Sequence, residues 1–167
     1  MLFFAAASFF AVGVLGNSTC KTTPLDAEWP AESDWVALNL SVNDTLIKTA
    51  PAASSCYPGN PFNSTYSCDL VEANWTLATF QASTPEGVDY MYFANDSCIP
   101  PTDSAFVKSK GCEVGGAPLY VLNATTEEQI SVALTWAASR NIRVVVKGTG
   151  HDMNGRYVST FKVSNIL

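Results

Sequence analysis

The feature that most restricts the fold of this chain is a strand–helix–strand pattern near its C-terminal end. Residues 119–123 (LYVLN) form a short β-type run, and residues 125–140 (TTEEQISVALTWAASR) are typical of one amphipathic helix. Residues 142–146 (IRVVV) are a second strand, whose unbroken valines favour a parallel strand buried on both faces. We therefore predict a β-α-β unit with a right-handed crossover.

Local signals define this helix. The apolar positions recur at helical spacing, at Ile130, Ala133, Leu134 and Ala137. Thr125 and Glu128 have the spacing of a capping box, and the acidic residues of the first turn suit the positive end of the helix dipole. Arg140 falls in the last turn, and Asn141 can adopt the left-handed conformation that ends a helix.

The region before this unit, residues 17–116, is interrupted by Pro, Gly, Asn and Ser. Its short apolar pieces, such as DWVALNLSV and DYMYFA, indicate isolated strands or single helical turns between loops. The composition, 47% hydrophobic and 14% charged, is that of a globular protein. A length of 167 residues is enough for at most one domain.

Five cysteines predict disulfide bonds in an oxidising compartment. Proximity along the chain favours the pairs Cys56–Cys68 and Cys98–Cys112, which leaves Cys20 without a partner. A metal site is not expected, because no C-x-x-C pair occurs and the single histidine, His151, lies far along the chain.

The N-terminus predicts secretion. Residues 1–16 carry no charge and are typical of the apolar core of a signal peptide, although a basic n-region is missing. The alternative is a membrane anchor, but a spanning helix needs about 20 apolar residues and this run is shorter. N-glycosylation sequons support the secreted, extracellular interpretation; they begin at Asn17, Asn39, Asn43, Asn63, Asn74, Asn95 and Asn123. N-glycans are thus expected, with no membrane contact after signal cleavage.

The charge distribution argues against nucleic acid as a partner. The net charge is −6, and the few basic residues are scattered along the chain. No cluster of Lys and Arg is present that would neutralise a row of phosphates.

The segment KGTGHDMNGR, residues 147–156, follows the second strand directly. Such a loop lies at the carboxyl edge of an α/β sheet, where ligands bind. Gly148 and Gly150 let the backbone approach an anion closely, and Lys147 and Arg156 add positive charge at either end. The segment therefore predicts a pyrophosphate site.

Neither of the two common phosphate-binding loops fits. A G-x-G-x-x-G fingerprint would need glycine where Met153 stands, and it belongs in the first strand–helix turn. A G-x-x-x-x-G-K-[ST] loop would need Lys and a hydroxyl where Arg156 and Tyr157 stand.

The run RNIRVVVKGTGHDMNGR resembles the FAD-binding domain of berberine-bridge-enzyme-like oxidoreductases, in the vanillyl-alcohol-oxidase (VAO) superfamily with a PCMH-type FAD domain. The segments DWVALNLSVNDTLIKTAPAASSCY and APLYVLNATTEEQI resemble secreted members of the same group. The resemblance implies an oxidoreductase whose flavin takes a hydride from a small-molecule substrate (an alcohol, a sugar or a secondary metabolite) and passes electrons to oxygen.

The resemblance also implies a set of site residues and a fold. The FAD-binding residues would be Lys147, Gly148, Thr149, Gly150, His151, Asp152, Gly155 and Arg156. His151 stands where the family binds the flavin 8α-methyl carbon covalently; the catalytic residues are not assigned. The implied fold is α+β: a disulfide- and glycan-rich N-terminal segment, then the first β-α-β unit of a PCMH-type domain, truncated.

Two departures from the family stand out. Glu28 occupies a position before Trp29 and Pro30 where the family commonly has cysteine, which would explain an unpaired Cys20. Residues 117–156 match the start of the FAD domain, whereas residues 157–167 do not continue it. We hypothesise that this tail is translated intron and the chain an inactive N-terminal fragment; the alternatives are a natural short isoform or a degenerate gene.

A different class of function stays open beside the oxidoreductase. A secreted, disulfide-stapled glycoprotein with a binding role and no catalysis would share the sequons and the loop-rich first hundred residues.

Overall fold

The computed structural model describes residues 20–152, 154–156 and 161–164, the last four as backbone only. The predicted signal peptide, residues 1–16, and most of the predicted aberrant tail lie outside these ranges. In chain order the helices are α1 (Glu32–Ser41), α2 (Cys68–Asn74), α3 (Ala78–Ser83) and α4 (Glu127–Ser139). The strands are β1 (Leu46–Lys48), β2 (Tyr120–Asn123), β3 (Val144–Lys147) and β4 (Phe161–Ser164). Short 3-10 helices span Ala52–Cys56, Met91–Ala94 and Lys108–Lys110.

The four strands form one mixed sheet in the order β1-β2-β4-β3. Strand β1 pairs antiparallel with β2, whereas β4 pairs in parallel with β2 on one side and with β3 on the other. The two strands joined by α4 are therefore parallel but do not pair with each other. Strand β4, which falls within the predicted tail, separates them.

The valine-rich strand β3 lies at the edge of the sheet among the described strands, and it is not buried on both faces as its sequence favours. Val146 is 75% exposed, whereas Lys147 is 2% exposed. An apolar sequence pattern indicates that the side chains of a strand favour burial. It does not indicate whether other elements of the chain pack over that strand.

The main core lies between α1, α4 and β2. Trp35 of α1 stacks on Tyr120 of β2, with ring centroids 3.9 Å apart, and Trp136 of α4 packs against Trp35 at 4.6 Å. Leu122 and Ala133 are fully buried in the same cluster. The segment DWVALNLSV was expected to form an isolated strand or a single helical turn. It forms most of a ten-residue helix, because its Trp and Leu side chains have a sheet to pack on.

Helix α4 begins one residue later than predicted. Thr126 is the N-cap, and its hydroxyl accepts from the backbone N–H of Gln129 at 3.3 Å. The side chain of Gln129 accepts from the N–H groups of the cap and donates to the carbonyl of Val42 at 2.9 Å. An amide can do both, whereas the carboxylate of Glu128 cannot donate, so the predicted Thr125–Glu128 box was wrong by one residue.

The buried face of α4 is rotated accordingly. Ala133 and Ala137 are buried as predicted, but Ile130 and Leu134 are 37% and 42% exposed. The end of the helix agrees with the sequence, since Arg140 is the C-cap and Asn141 has a φ of 54°.

Both predicted disulfides are present, Cys56–Cys68 and Cys98–Cys112, and Cys20 is a free, exposed thiol. They surround a second small core that includes Val71, Trp75 and Ile99. The N-terminal region therefore has a hydrophobic core in addition to its disulfide bonds.

Within the described residues, no helix has the length and apolar character needed to cross a bilayer. The same part of the chain contains no cluster of three or more potential metal-ligating side chains.

Candidate flavin site at the carboxyl end of the parallel strands

The loop that follows β3 forms the wall of an open concavity of about 550 Å³. The wall consists of residues 145–152 together with Arg156. Because β2, β4 and β3 are parallel, their carboxyl ends meet at this edge of the sheet, as predicted for the segment KGTGHDMNGR.

The glycines of this loop differ in what they permit. Gly150 has a φ of +91°, and a Cβ there would lie 3.3 Å from Cε of Lys147. Gly155 has a φ of +65°, and a Cβ there would lie 2.4 Å from Cδ1 of Phe93. Gly148, in contrast, faces open space. The loop shape therefore depends on glycine at 150 and 155, and exposes backbone at 148.

The ammonium of Lys147 is directed into the protein. Its Nζ atom donates to the carbonyl oxygens of Gln81 at 3.2 Å, Ala82 at 3.1 Å and Thr84 at 2.9 Å, at and just beyond the C-terminal end of α3. Burial lowers the pKa of Lys147 to about 8, although the nearby carboxylates of Glu86 and Asp89 act in the opposite direction. The positive charge expected at the start of the loop is thus used to anchor it.

Arg156 is also engaged. Its guanidinium binds both oxygens of Asp152, with Nε to Oδ2 at 2.8 Å and Nη2 to Oδ1 at 3.0 Å. Asp152 further accepts from the backbone N–H groups of Asn154 and Arg156. The Arg156 side chain, followed by the Asn154 N–H, lowers the pKa of Asp152 to about 2. Asp152 therefore organises the end of the loop.

His151 stands at the rim of the concavity. Its Nδ1 atom contacts Oδ2 of Asp89, a residue 62 positions earlier in the chain. The His151 side chain is 52% exposed and that of Asp89 15% exposed. The imidazole is therefore held from one side and open on the other.

Several curated proteins that this sequence resembles are named FAD-linked oxidoreductases or flavoprotein oxidases. An FAD-linked oxidoreductase of Gibberella fujikuroi is 40% identical over 142 residues, which cover 85% of this chain and 23% of that protein. The VAO-type flavoprotein oxidase VAO615 of Thermothelomyces thermophilus is 36% identical over 163 residues, covering 93% of this chain and 28% of that protein. No family model matches the sequence.

Solved structures agree with the sequence similarity. The VAO-type flavoprotein MtVAO615 from Myceliophthora thermophila C1 has a TM-score of 0.75 to this fold at 34% identity, covering 87% of this chain and 27% of that one. The chain is a homologue of the VAO-type, FAD-linked oxidoreductases. MtVAO713 from the same organism gives a TM-score of 0.71 at 35% identity, over 87% of this chain and 25% of that one.

The homologous region is a part of these flavoproteins. The chain spans about a quarter of the length of the curated relatives it matches, between 21% and 28% for three of them. The family implies FAD as cofactor.

The loop fits a diphosphate. Within the described part of the chain, the backbone N–H groups of Thr149, Gly150 and His151 make no hydrogen bond, and all three residues line the concavity. Unpaired N–H groups on a glycine-rich turn are typical anion ligands. With Lys147 and Arg156 both engaged elsewhere, backbone N–H groups would hold the FAD diphosphate, and His151 would face the flavin end.

The structure thus brings together the predicted residues 147–152, Gly155 and Arg156 in one loop. Their assignment to FAD stays a prediction, as does a covalent bond to His151. Sequence reasoning missed the segment 81–89, which supplies Asp89 and the carbonyls that bind Lys147. No local signal marks it, because contacts across more than sixty residues leave no spacing pattern in the sequence.

Proposed function

We propose that this chain provides the diphosphate-binding wall of an FAD-dependent oxidoreductase. The observation that carries the proposal is the free edge formed by the N–H groups of Thr149, Gly150 and His151 at the carboxyl end of parallel strands, in a homologue of FAD-linked oxidoreductases. The chain by itself forms one side of the pocket, whereas a cofactor of this size needs to be enclosed.

In the complete protein, flavin would accept a hydride from an alcohol, a sugar or a secondary metabolite and pass the electrons to oxygen. The residues of this chain would bind and orient that cofactor. The backbone of 149–151 would hold the diphosphate, and Asp152 with Arg156 would keep the loop in shape.

We further propose that His151 is the covalent attachment point for FAD. Attachment would replace one C–H bond of the 8α-methyl group and the imidazole N–H bond by a C–N bond, and the two protons and two electrons released would reduce dioxygen to hydrogen peroxide. An imidazole nitrogen is a competent nucleophile for such a step. The half-exposed ring of His151 at the rim of the concavity supports this assignment.

Amide chemical shifts of the 15N-labelled chain test the diphosphate site. Titration with ADP, which carries the diphosphate half of FAD, should give weak but saturable shifts at Thr149, Gly150 and His151. Adenosine, which has no phosphate, is the matched ligand control. Gly150→Ala, whose backbone needs a φ of +91°, should abolish the response.

A second function is the secreted, disulfide-stapled glycoprotein that binds a partner without catalysis. The two disulfides and the exposed sequons on the N-terminal region support it. The ADP titration distinguishes the flavin site from the binding role. Amide shifts that are equal with ADP and adenosine, or no amide shifts at the loop, would contradict the flavin-site proposal and leave the binding role. Sequencing the transcript across the Arg156 codon tests separately whether residues 157–167 are translated intron.

A further inference from the structure

The ring of Tyr92 is a large apolar surface that is mostly open to solvent. Tyr92 lies in the 3-10 helix Met91–Ala94 and is 59% exposed. Tyr90 packs beside it with ring centroids 5.9 Å apart, and Phe93 with ring centroids 4.1 Å apart. The three rings together form an aromatic patch, and contiguous apolar patches at a surface usually mark a contact with another group.

The residue that ends this helix is Asn95, the asparagine of a glycosylation sequon. Its φ of 62° is left-handed, and its backbone N–H donates to the carbonyl oxygen of Tyr92 at 3.0 Å. That hydrogen bond closes a turn, so the Cα atoms of residues 92 and 95 lie within about 7 Å of each other. Both residues are exposed. A sugar attached to Asn95 would therefore begin beside the ring of Tyr92.

The turn is held in place by the residues that follow it. The hydroxyl of Ser97 donates to the carbonyl oxygen of Ala94, and the backbone N–H of Glu113 donates to the carbonyl oxygen of Ser97 at 2.9 Å. The disulfide Cys98–Cys112 joins the same two segments. Because the turn is already ordered, a contact between a sugar and Tyr92 costs little conformational entropy.

Two further exposed sequons lie on turns of the same kind and differ in the first residue of the turn. The backbone N–H of Asn43 donates to the carbonyl oxygen of Leu40 at 3.4 Å, and that of Asn63 donates to the carbonyl oxygen of Asn60 at 2.9 Å. Their φ values of 57° and 54° are also left-handed. The residue three positions before the sequon asparagine is thus aromatic at one site, aliphatic at the second and polar at the third. The two other sites are matched controls for the first.

We propose that the N-acetylglucosamine attached to Asn95 packs with one face on the ring of Tyr92 and covers the aromatic patch. The C–H bonds on the face of a pyranose ring carry a slight positive charge, whereas the face of an aromatic ring is negative. The contact also removes apolar surface of the patch from water. The covalent bond to Asn95 keeps the sugar at a high local concentration, so even a weak contact is populated. The proposal does not depend on the flavin site.

NMR spectra of the whole chain, secreted from a yeast host, test this contact. An endoglycosidase that leaves one N-acetylglucosamine on each occupied asparagine makes the sugars uniform. The sugar signals of Asn95 are those that disappear in Asn95→Gln, and the ring current of Tyr92 should shift them upfield. Tyr92→Leu, which copies the turn at Leu40, should return them to the positions seen for the sugar on Asn43.

Thermal unfolding of the same trimmed samples gives a second measurement. Asn95→Gln should lower Tm by about 2–4 °C, because it removes a contact with an aromatic face, whereas Asn63→Gln should change Tm by less than about 1 °C. In a Tyr92→Leu background the effect of Asn95→Gln should become as small as that of Asn63→Gln.

The wild-type spectrum decides the matter even if Tyr92→Leu fails to fold. An unoccupied Asn95, or sugar signals at Asn95 that match those at Asn43 and Asn63, would overturn the proposal. Tyr92 ring signals that shift on dilution, with the sugar signals at their ordinary positions, would show that a second copy of the chain covers the patch instead.

Discussion

The Nζ atom of Lys147 lies 2.9 Å from the carbonyl oxygen of Thr84, a residue 63 positions earlier in the chain. Through this contact the end of β3 is tied to the C-terminal end of α3, and the N-terminal region becomes the back of the candidate flavin site. The cation is 2% exposed and bound to carbonyl oxygens, so its protonation is coupled to folding.

Lys147 should make stability depend on pH in a specific direction. Its pKa falls from 10.5 to about 8 on folding, chiefly because of burial, so between these values the unfolded chain binds more protons than the folded one. The free energy of unfolding of wild type, relative to Lys147→Met, should therefore rise between pH 7 and pH 10, by about 2 kcal/mol.

Urea denaturation at several pH values measures this difference. Lys108→Met, at an exposed lysine in the same chain, provides the control and should show no such trend. If the difference in free energy of unfolding between wild type and Lys147→Met does not change with pH, Lys147 keeps its ordinary pKa and is not buried as described.

Gly155 and Gly148 should respond differently to alanine. At Gly155 a Cβ would need a left-handed backbone and would meet the ring of Phe93, so Gly155→Ala should cost about 1–3 kcal/mol. At Gly148 the space is open, and Gly148→Ala should change stability by less than about 0.5 kcal/mol. Thermal unfolding of both variants checks the contrast; equal losses would contradict the loop geometry.

The Asp152–Arg156 pair should order the loop end over most of the pH range. Because the hydrogen bonds from Arg156 lower the pKa of Asp152 from 3.8 to about 2, the pair is fully formed above about pH 4 and is lost as pH falls through 2. Asp152→Asn should speed amide hydrogen exchange at Gly155 and Arg156 at neutral pH. Exchange rates equal to wild type would show that the backbone holds the turn by itself.

The elements that the sequence predicts well are those set by nearby residues. Strands β2 and β3, helix α4, the left-handed Asn141 and both disulfides depend on patterns within about fifteen residues. The N-cap shifted to Thr126 because Gln129 bonds to Val42, 87 residues away. Asp89 was missed for the same reason: its partner His151 belongs to a distant segment, and only the fold brings them together.

The sequons of the described region differ in whether their side chains are available for a glycan. Asn43, Asn63 and Asn95 are exposed on turns, with φ values of 57°, 54° and 62°, and their side-chain amides form no hydrogen bond with other described residues. When the chain is expressed through a secretory pathway, we expect these three sequons to be the ones that carry N-glycans. Peptide mass spectrometry after enzymatic deglycosylation in heavy-oxygen water marks each occupied site.

Two other sequons serve as internal controls for that measurement. The amide of Asn39 donates to Asp44 at 2.8 Å, and that of Asn74 donates to Leu70 at 2.8 Å, both from half-buried positions in helices. A sugar at either nitrogen would compete with these bonds. Higher occupancy at Asn39 or Asn74 than at Asn43 would contradict the assignment.

The free thiol of Cys20 should become half of a disulfide if a cysteine is placed at position 28. Cys20 and Glu28 line the same surface concavity, and Glu28 stands where the family commonly has cysteine. In Glu28→Cys we expect no free thiol, a mass lower by two hydrogens and a gain in stability of about 2 kcal/mol, since the new bond restricts the unfolded chain. Glu28→Ser controls for loss of the carboxylate and should keep one free thiol; two free thiols or a linked dimer in Glu28→Cys would show that the two positions do not face each other.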